Sequence, residues 1–346
     1  MRIMNILITG AAGFIGANLV QRLIAADCKC NIVGLDNVNE YYDVSLKEYR
    51  LQQIEKLVGE TNKTKWTFVK GSIADKQIVN SLFEQYKFSI VVNLAAQAGV
   101  RYSITNPDVY IESNVIGFYN ILEACRHYPV KHLVFASSSS VYGGNTKIPF
   151  SETDNVDNPV SLYAATKKSN ELLAYSYAKL YNIPCTGLRF FTVYGPAGRP
   201  DMAYFSFTNK LLKGEKIQIF NYGNCQRDFT YIDDIVEGIY RVMMKNPKQV
   251  CHTIDVPYKI YNIGNNQPEN LMDFVTILQE ELLRIGLLPK DYDFEAHKEL
   301  VPMQAGDVPI TYADTSALEN DFGFKPRTKL RDGLRRFVLW YKLFYR

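Results

Sequence analysis

The chain reads as an α/β protein, a doubly wound parallel sheet followed by a smaller C-terminal part, and three observations predict it. Apolar runs of strand length alternate with segments of helical apolar spacing through the first 190 residues, the pattern of a parallel sheet with helices on both faces. The first run is joined to the first helical segment by a glycine-rich turn, Thr9-Gly10-Ala11-Ala12-Gly13-Phe14-Ile15-Gly16. Beyond residue 191 the alternation stops. Loop-rich stretches, short helices and isolated strands follow, broken by prolines such as Pro196, Pro257, Pro289 and Pro326.

In chain order, the apolar runs predict strands at 3–9, 31–35, 66–69, 89–94, 132–137 and 184–190. Apolar residues recurring three and four apart predict helices at 14–26, 44–58, 75–86, 107–127 and 161–181. The division that follows is a nucleotide-binding unit over 1–190 and a mainly substrate-binding part over 191–346, with the chain free to cross back. The stretch from Asn39 to Lys65, carrying Tyr41 and Tyr42, is longer than a simple strand-to-helix unit needs and has no assigned chemistry.

Composition narrows the function classes. A chain of 346 residues, 47% of them hydrophobic, can bury a large core. The formal charge is only +3 and the basic residues are dispersed, so no basic stripe points to nucleic acid. No signal-peptide pattern precedes the first strand and no apolar run approaches membrane-spanning length, which leads us to expect a cytoplasmic protein with no membrane partner. The six cysteines are scattered, with Cys28 and Cys30 lacking a second pair or nearby histidines. Reduced thiols and no metal site are expected.

The motifs carry the chemistry. In a strand–turn–helix of this kind Gly10 permits the tight turn, Gly13 lets the backbone approach a pyrophosphate and Gly16 lets the helix pack against the strand, the helix N-terminus facing the phosphates. A second apolar strand ends at Asp36, twenty residues beyond Gly16, where a carboxylate accepts hydrogen bonds from the adenosine ribose and repels a 2′-phosphate. NAD is therefore expected over NADP. Further on, the apolar strand Val134-Phe135-Ala136 runs into Ser137, Ser138, Ser139 and Ser140, at a carboxyl end where ligands of doubly wound sheets gather. Tyr163 and Lys167 stand one helical turn apart. A tyrosine titrates near 10, so a role as base near neutrality needs the positive charge that Lys167 and the nicotinamide supply.

These features resemble the extended short-chain dehydrogenase/reductase superfamily, within it the nucleotide-sugar epimerases and most closely the UDP-glucuronate 4-epimerases. The resemblance spans nearly the whole chain. It rests on the glycine turn, Asn93-Leu94-Ala95-Ala96, the serine run with Val141-Tyr142-Gly143, Tyr163 with Lys167, Arg189-Phe190-Phe191-Thr192-Val193-Tyr194-Gly195-Pro196, and Arg227-Asp228-Phe229-Thr230-Tyr231-Ile232-Asp233-Asp234. It implies Ser138, Tyr163 and Lys167 as the catalytic set. It implies a cofactor site made by Gly10, Gly13, Phe14, Ile15, Gly16, Asp36, Asn37, Ile73, Leu94, Ala95 and Ala96 together with Tyr163 and Lys167. Ser72 stands where the family usually has an adenine-contacting aspartate.

On the substrate side the resemblance implies Arg227 on the diphosphate, residues 217–220 beside uracil, and Asp307 on the uridine ribose, with Gln304 where galactose epimerases carry arginine. Related dehydratases and decarboxylases place carboxyl groups near the catalytic hydroxyl, where this chain has Ser139 and Ser140. Hydroxyls donate to a substrate carboxylate that an ionised glutamate repels. Ser138, Ser139, Ser140, Thr192 and Arg199 are accordingly expected around a glucuronate. The expected activity is 4-epimerisation of a UDP-sugar, most closely UDP-glucuronate to UDP-galacturonate; the alternatives are a UDP-N-acetylhexosamine or UDP-hexose 4-epimerase and a catalytically silent NAD-binding scaffold. The helices at 107–127 and 161–181 resemble the family's dimer-forming pair, so a homodimer is expected.

Overall fold

The computed structural model describes residues 3–26, 28–60, 63–303 and 308–346. The N-terminal half supplies strands β1 (Met4–Thr9), β2 (Cys30–Asp36), β3 (Lys65–Lys70), β4 (Ile90–Asn93), β5 (His132–Ser138) and β6 (Cys185–Phe190). The remainder supplies β7 (Thr192–Tyr194), β8 (Ile217–Ile219), β9 (Gln226–Tyr231), β10 (Tyr258–Ile263), β11 (Pro268–Asn270), β12 (Lys298–Leu300) and β13 (Ile310–Thr311). The main sheet has seven strands in the order β10-β6-β5-β4-β1-β2-β3, every neighbouring pair parallel.

Both faces of that sheet are apolar because it is covered twice. Along β1, Ile6 and Ile8 pack into one core while Leu7, between them, packs into the other with Val33, Leu35 and Val91. Alternate side chains thus feed opposite cores, which is why these strands read as continuous apolar runs. The strand order reverses between β1 and β4, so their carboxyl ends open a crevice there. The C-terminal half also forms two smaller sheets, β11-β9-β13 with β7 alongside β9, and the pair β12-β8.

Three elements go beyond or depart from the sequence expectation. The seventh strand, β10, comes from beyond residue 191: it follows Pro257, mixes polar with apolar residues and pairs with β6 at the sheet edge. The helix Ile232–Met243 also returns to the first half, and Glu237 holds Arg22 of the helix Phe14–Ala25 at 2.8 Å. The expected helix 107–127 is broken into Asp108–Tyr110, a π-helical turn Ile111–Ile116, and Gly117–His127. Its wide turn follows from Asn114, whose side chain is taken by the Gln97 backbone at 2.8 and 3.0 Å and by Thr166 at 3.0 Å. The freed Asn114 carbonyl accepts from Asn170 at 2.6 Å.

The helix Leu162–Tyr181 starts where Ser161 caps it, its hydroxyl accepting from the Ala164 amide at 3.1 Å, and ends on left-handed Asn182. The Asn39–Lys65 insertion folds as the helix Val44–Gly59, whose Arg50 is fully buried. All six cysteines are free thiols. Among the described residues no helix is long and apolar enough to cross a membrane.

At the start of β5 His132 is buried between the Met243 carbonyl at 3.2 Å and Thr186 Oγ1 at 2.8 Å, and burial pushes its pKa down to about 4. The folded state therefore binds this proton more weakly than the unfolded chain does. Its neutral form contributes stability that is intact above the unfolded value near 6.5 and is lost as the pH falls toward 4, by about 3 kcal/mol. We expect denaturant midpoints to drop across that window, and to drop less in His132→Gln; equal slopes for the two proteins would remove His132 as the cause.

Candidate active site

A cavity of about 270 Å³ opens at the carboxyl ends of β1, β2, β4 and β5. The glycine turn forms its floor. Gly10 has φ +70°, and a Cβ there would sit 2.8 Å from the Ala95 amide nitrogen. A Cβ on Gly13 would come within 2.9 Å of the Gly10 carbonyl oxygen, and one on Gly16 would overlap it. The helix Phe14–Ala25 begins at Gly13 with no side-chain cap, so its first N–H groups remain for an anionic group. Asn93 at the end of β4 accepts from Thr9 Oγ1 at 2.7 Å, which in turn accepts from the Ala95 amide at 3.1 Å. Leu94, Ala95 and Ala96 line the cavity opposite the turn.

Asp36, nearly buried at the end of β2, accepts from the Ala12 amide at 3.0 Å and the Val38 amide at 2.8 Å. Each oxygen keeps a lone pair for a ribose hydroxyl. Ser72 and Ile73 line the far end of the cavity. The Ser72 hydroxyl accepts from the Ala74 amide at 3.1 Å, an acceptor role spent on the turn. Lys47, which no sequence motif singles out, reaches the same end and holds the Asn39 carbonyl and side chain at 2.7 and 2.6 Å. Burial lowers its pKa, opposed by the charge of Asp36. The cradle of glycines, the open helix end and the carboxylate after β2 fit NAD. Asp36→Asn should keep the turn yet weaken NAD binding and relax the discrimination against NADP, read by titration with both cofactors; equal affinities in the unmutated protein would count against this role.

Tyr163, Lys167 and Ser138 meet at the other end of the cavity. Ser138 Oγ accepts from the Ser140 amide at 3.2 Å and the Ser140 hydroxyl at 3.0 Å. With its acceptor positions taken, its own proton is directed outward. Burial pushes the Tyr163 phenol up, and the Ser138 hydroxyl and the Arg199 charge pull it back. Lys167, expected from its spacing to supply that charge, donates to the Ala136 carbonyl at 2.9 Å, and its ammonium lies 6.0 Å from the Tyr163 ring centre. Burial lowers the Lys167 pKa to about 8.

Beneath these groups lies a buried ion pair whose role the sequence did not disclose. Arg189 meets Glu171 through two hydrogen bonds of 2.8 Å, and Ser137 donates to the same carboxylate at 2.6 Å. Glu171 is one turn beyond Lys167, so the pair ties the tyrosine helix to β5 and β6.

The expected substrate residues are not all gathered. Arg199 lines the cavity with Tyr163 and Ser138, whereas Ser139, Ser140, Thr192 and Arg227 do not. Ser140 gives its proton to Ser138, and Thr192 opens β7 beside β9. Arg227 donates to the Pro309 carbonyl at 3.0 Å. Asp228, in the same motif, is fully buried and accepts from the amides of Asn265, Asn266 and Ala313. Asp307 and Gln304 lie outside the described residues. At the end of β8 the Arg101 guanidinium stacks 5.1 Å over the Phe220 ring, spanning the two parts of the chain.

The chain is similar to known proteins along its whole length. The family model described as NAD dependent epimerase/dehydratase family matches residues 6–264. The chain is 49% identical to protein CapI of Staphylococcus aureus, over 99% of this chain and 100% of that one. It is 44% identical to UDP-glucuronate 4-epimerase 4 of Arabidopsis thaliana, over 99% of this chain and 76% of that one. Among solved structures it is similar to a UDP-glucuronic acid 4-epimerase from Bacillus cereus in complex with UDP-glucuronic acid and NAD, with TM-score 0.84 and 31% identity over 99% of this chain and 100% of that one.

Proposed function

The chain belongs to the NAD dependent epimerase/dehydratase family and is an NAD-dependent nucleotide-sugar 4-epimerase, and we propose that it interconverts UDP-glucuronate and UDP-galacturonate. The observation that carries the choice of sugar is Arg199, a guanidinium lining the same cavity as Tyr163 and Ser138. A uronate carboxylate one carbon beyond the ring is the group such a cation recognises, by a charge-assisted, bidentate hydrogen bond.

NAD, when bound, accepts a hydride from sugar carbon 4 and returns it. The protein manages the proton and the geometry. Tyr163 as phenolate takes the proton of the 4-hydroxyl, and Ser138, with its hydrogen directed outward, donates to the sugar oxygen and relays the proton. A 4-keto sugar that turns about its diphosphate link and presents its other face is reduced to the inverted centre. Lys167, fixed on the Ala136 carbonyl, holds its charge below the tyrosine. In the keto state a uronate is a β-keto acid, and carbon dioxide leaves when the C5–C6 bond stands perpendicular to the carbonyl plane, its electron pair passing into the carbonyl to give an enolate. A guanidinium that holds the carboxylate so that the C5–C6 bond stays near the carbonyl plane both recognises the substrate and suppresses that loss.

The test is incubation with a panel of UDP-sugars and separation of the products. Interconversion of the two UDP-uronates without net NADH release is expected. Conversion of UDP-N-acetylglucosamine to its galacto epimer with UDP-glucuronate untouched would overturn the reading. We also infer a homodimer through the helices around 108–127 and 162–181, where Ile116, Tyr119, Leu172 and Tyr175 are exposed; a monomer in light scattering would refute it.

A further inference from the structure

Arg199 is held in place before any sugar reaches it. Its Nε donates to Asp201 Oδ1 at 3.0 Å and its Nη2 to Asp201 Oδ2 at 2.5 Å. This side-on fork uses one edge of the guanidinium. Five N–H donors are available, and among the described residues none accepts from Nη1. The Nη1–Nη2 edge therefore remains whole, with the spacing of a second carboxylate.

Asp201 is itself steadied by the insertion. The Tyr41 hydroxyl donates to Asp201 Oδ2 at 3.3 Å, and the Tyr41 ring packs on Tyr102 with centres 4.9 Å apart. The backbone leading into Arg199 is fixed from the same insertion. Arg50 donates to the carbonyls of Ala197 at 2.9 Å and Gly198 at 3.0 Å, and also to that of Ala12 in the glycine turn at 3.0 Å. One buried cation thus joins the arm that carries Arg199 to the cofactor turn.

We propose that Asp201, steadied by Tyr41, is a specificity-determining positioning residue: it grips Arg199 by its Nε–Nη2 edge and presents the other edge to the carboxylate of a bound uronate. The proposal rests on the UDP-uronate reading above. Two carboxylates flanking one guanidinium repel each other little here, because the cation lies between them and Asp201 is exposed on its outer side. Without Asp201, a side chain of four rotatable bonds is released to swing toward water, and ordering it again opposes binding. Burial pushes the Asp201 carboxyl up, but the Arg199 charge together with the hydrogen bonds from Arg199 and Tyr41 holds it below the usual carboxylate range, so the pair stays ionised at working pH. The device also gives the Asn39–Lys65 insertion a function, since Tyr41 and Arg50 both come from it.

The experiment compares the unmutated enzyme with Asp201→Ala, Asp201→Asn and Tyr41→Phe, measuring KM for UDP-glucuronate and the inhibition constant of UDP-glucose, a competitor with the same diphosphate and no sugar carboxylate. Asp201→Ala should raise KM roughly tenfold, the size of one charge-assisted hydrogen bond, with the UDP-glucose constant within about twofold. Asp201→Asn, which keeps an acceptor for Nε, should fall between, and Tyr41→Phe should have the smallest effect. In an Arg199→Met background Asp201→Ala should add nothing, a result that general damage to the site cannot produce. An unchanged or lower KM in Asp201→Ala, a parallel rise in the UDP-glucose constant, or an undiminished effect without Arg199 would each overturn the proposal. An unmutated enzyme that leaves UDP-glucuronate unconverted would instead overturn the reading of its substrate.

Discussion

Replacing Tyr163 with phenylalanine should leave the fold and NAD content intact and lower turnover by about a hundred- to ten-thousandfold, the contribution of a well-placed acid/base group. The ring would still pack edge-on to Tyr110, whose centre is 6.0 Å away, so only the hydroxyl is lost. The pH dependence follows from the same neighbours. Burial raises the Tyr163 phenol, while the Ser138 hydroxyl and the Arg199 charge lower it. Because the working form is the phenolate, turnover should climb as the pH rises toward the phenol's value. Removing a nearby cation disfavours the phenolate, so Arg199→Met should shift that rising limb to higher pH. Lys167, with its pKa lowered to about 8, loses its charge above that point, and the profile should flatten there. Near-normal turnover in Tyr163→Phe would refute the assignment of the base.

The parts of this protein that were legible in the sequence are those whose cause is local. Gly13 and Gly16 are dictated by contacts within one turn, since the Gly10 carbonyl faces both, and Gly10 by its own left-handed φ of +70°. Tyr163 and Lys167 are joined by helical spacing alone. β1, β2 and β4 are long apolar runs because both faces of the sheet are covered. What escaped depends on partners far along the chain. β10 is a half-polar edge strand that, among the described residues, pairs in the sheet with β6 alone. Arg50 lies on a helix that reads as amphipathic, and nothing in that pattern shows that its guanidinium finds carbonyls near residues 12 and 197. Asn114 widens a helix through bonds to Gln97 and Thr166. Ser140 was expected to face a substrate carboxylate, yet its proton goes to Ser138, because the tight turn after β5 brings the two hydroxyls together. Hydroxyl donors are readable from sequence, but the acceptor each one chooses is a tertiary fact.

Arg199→Met carries the second large effect, and it bears on the choice of sugar. Losing a charge-assisted hydrogen bond costs about 1.5 to 3 kcal/mol, so KM for UDP-glucuronate should rise roughly ten- to a hundredfold. UDP-glucose has no carboxylate, and its binding should change far less. Methionine keeps much of the apolar stem, so the comparison isolates the charge. The Asp201 carboxylate left behind is half-solvated rather than sealed in, with 36% of its side chain exposed, and the variant should still fold. A second consequence separates recognition from chemistry. Once the carboxylate is no longer held, the ring can turn its C5–C6 bond perpendicular to the 4-keto carbonyl plane, and carbon dioxide departs more readily; the enolate left behind takes a proton at C5 and the returned hydride at C4, so Arg199→Met should form a UDP-pentose that the unmutated enzyme does not. One chromatogram reads both effects. A higher KM with no pentose would mean that Arg199 attracts the uronate but something else holds its C5–C6 bond near the carbonyl plane. If neither the KM nor the product pattern changed, Arg199 would have no part in holding the uronate.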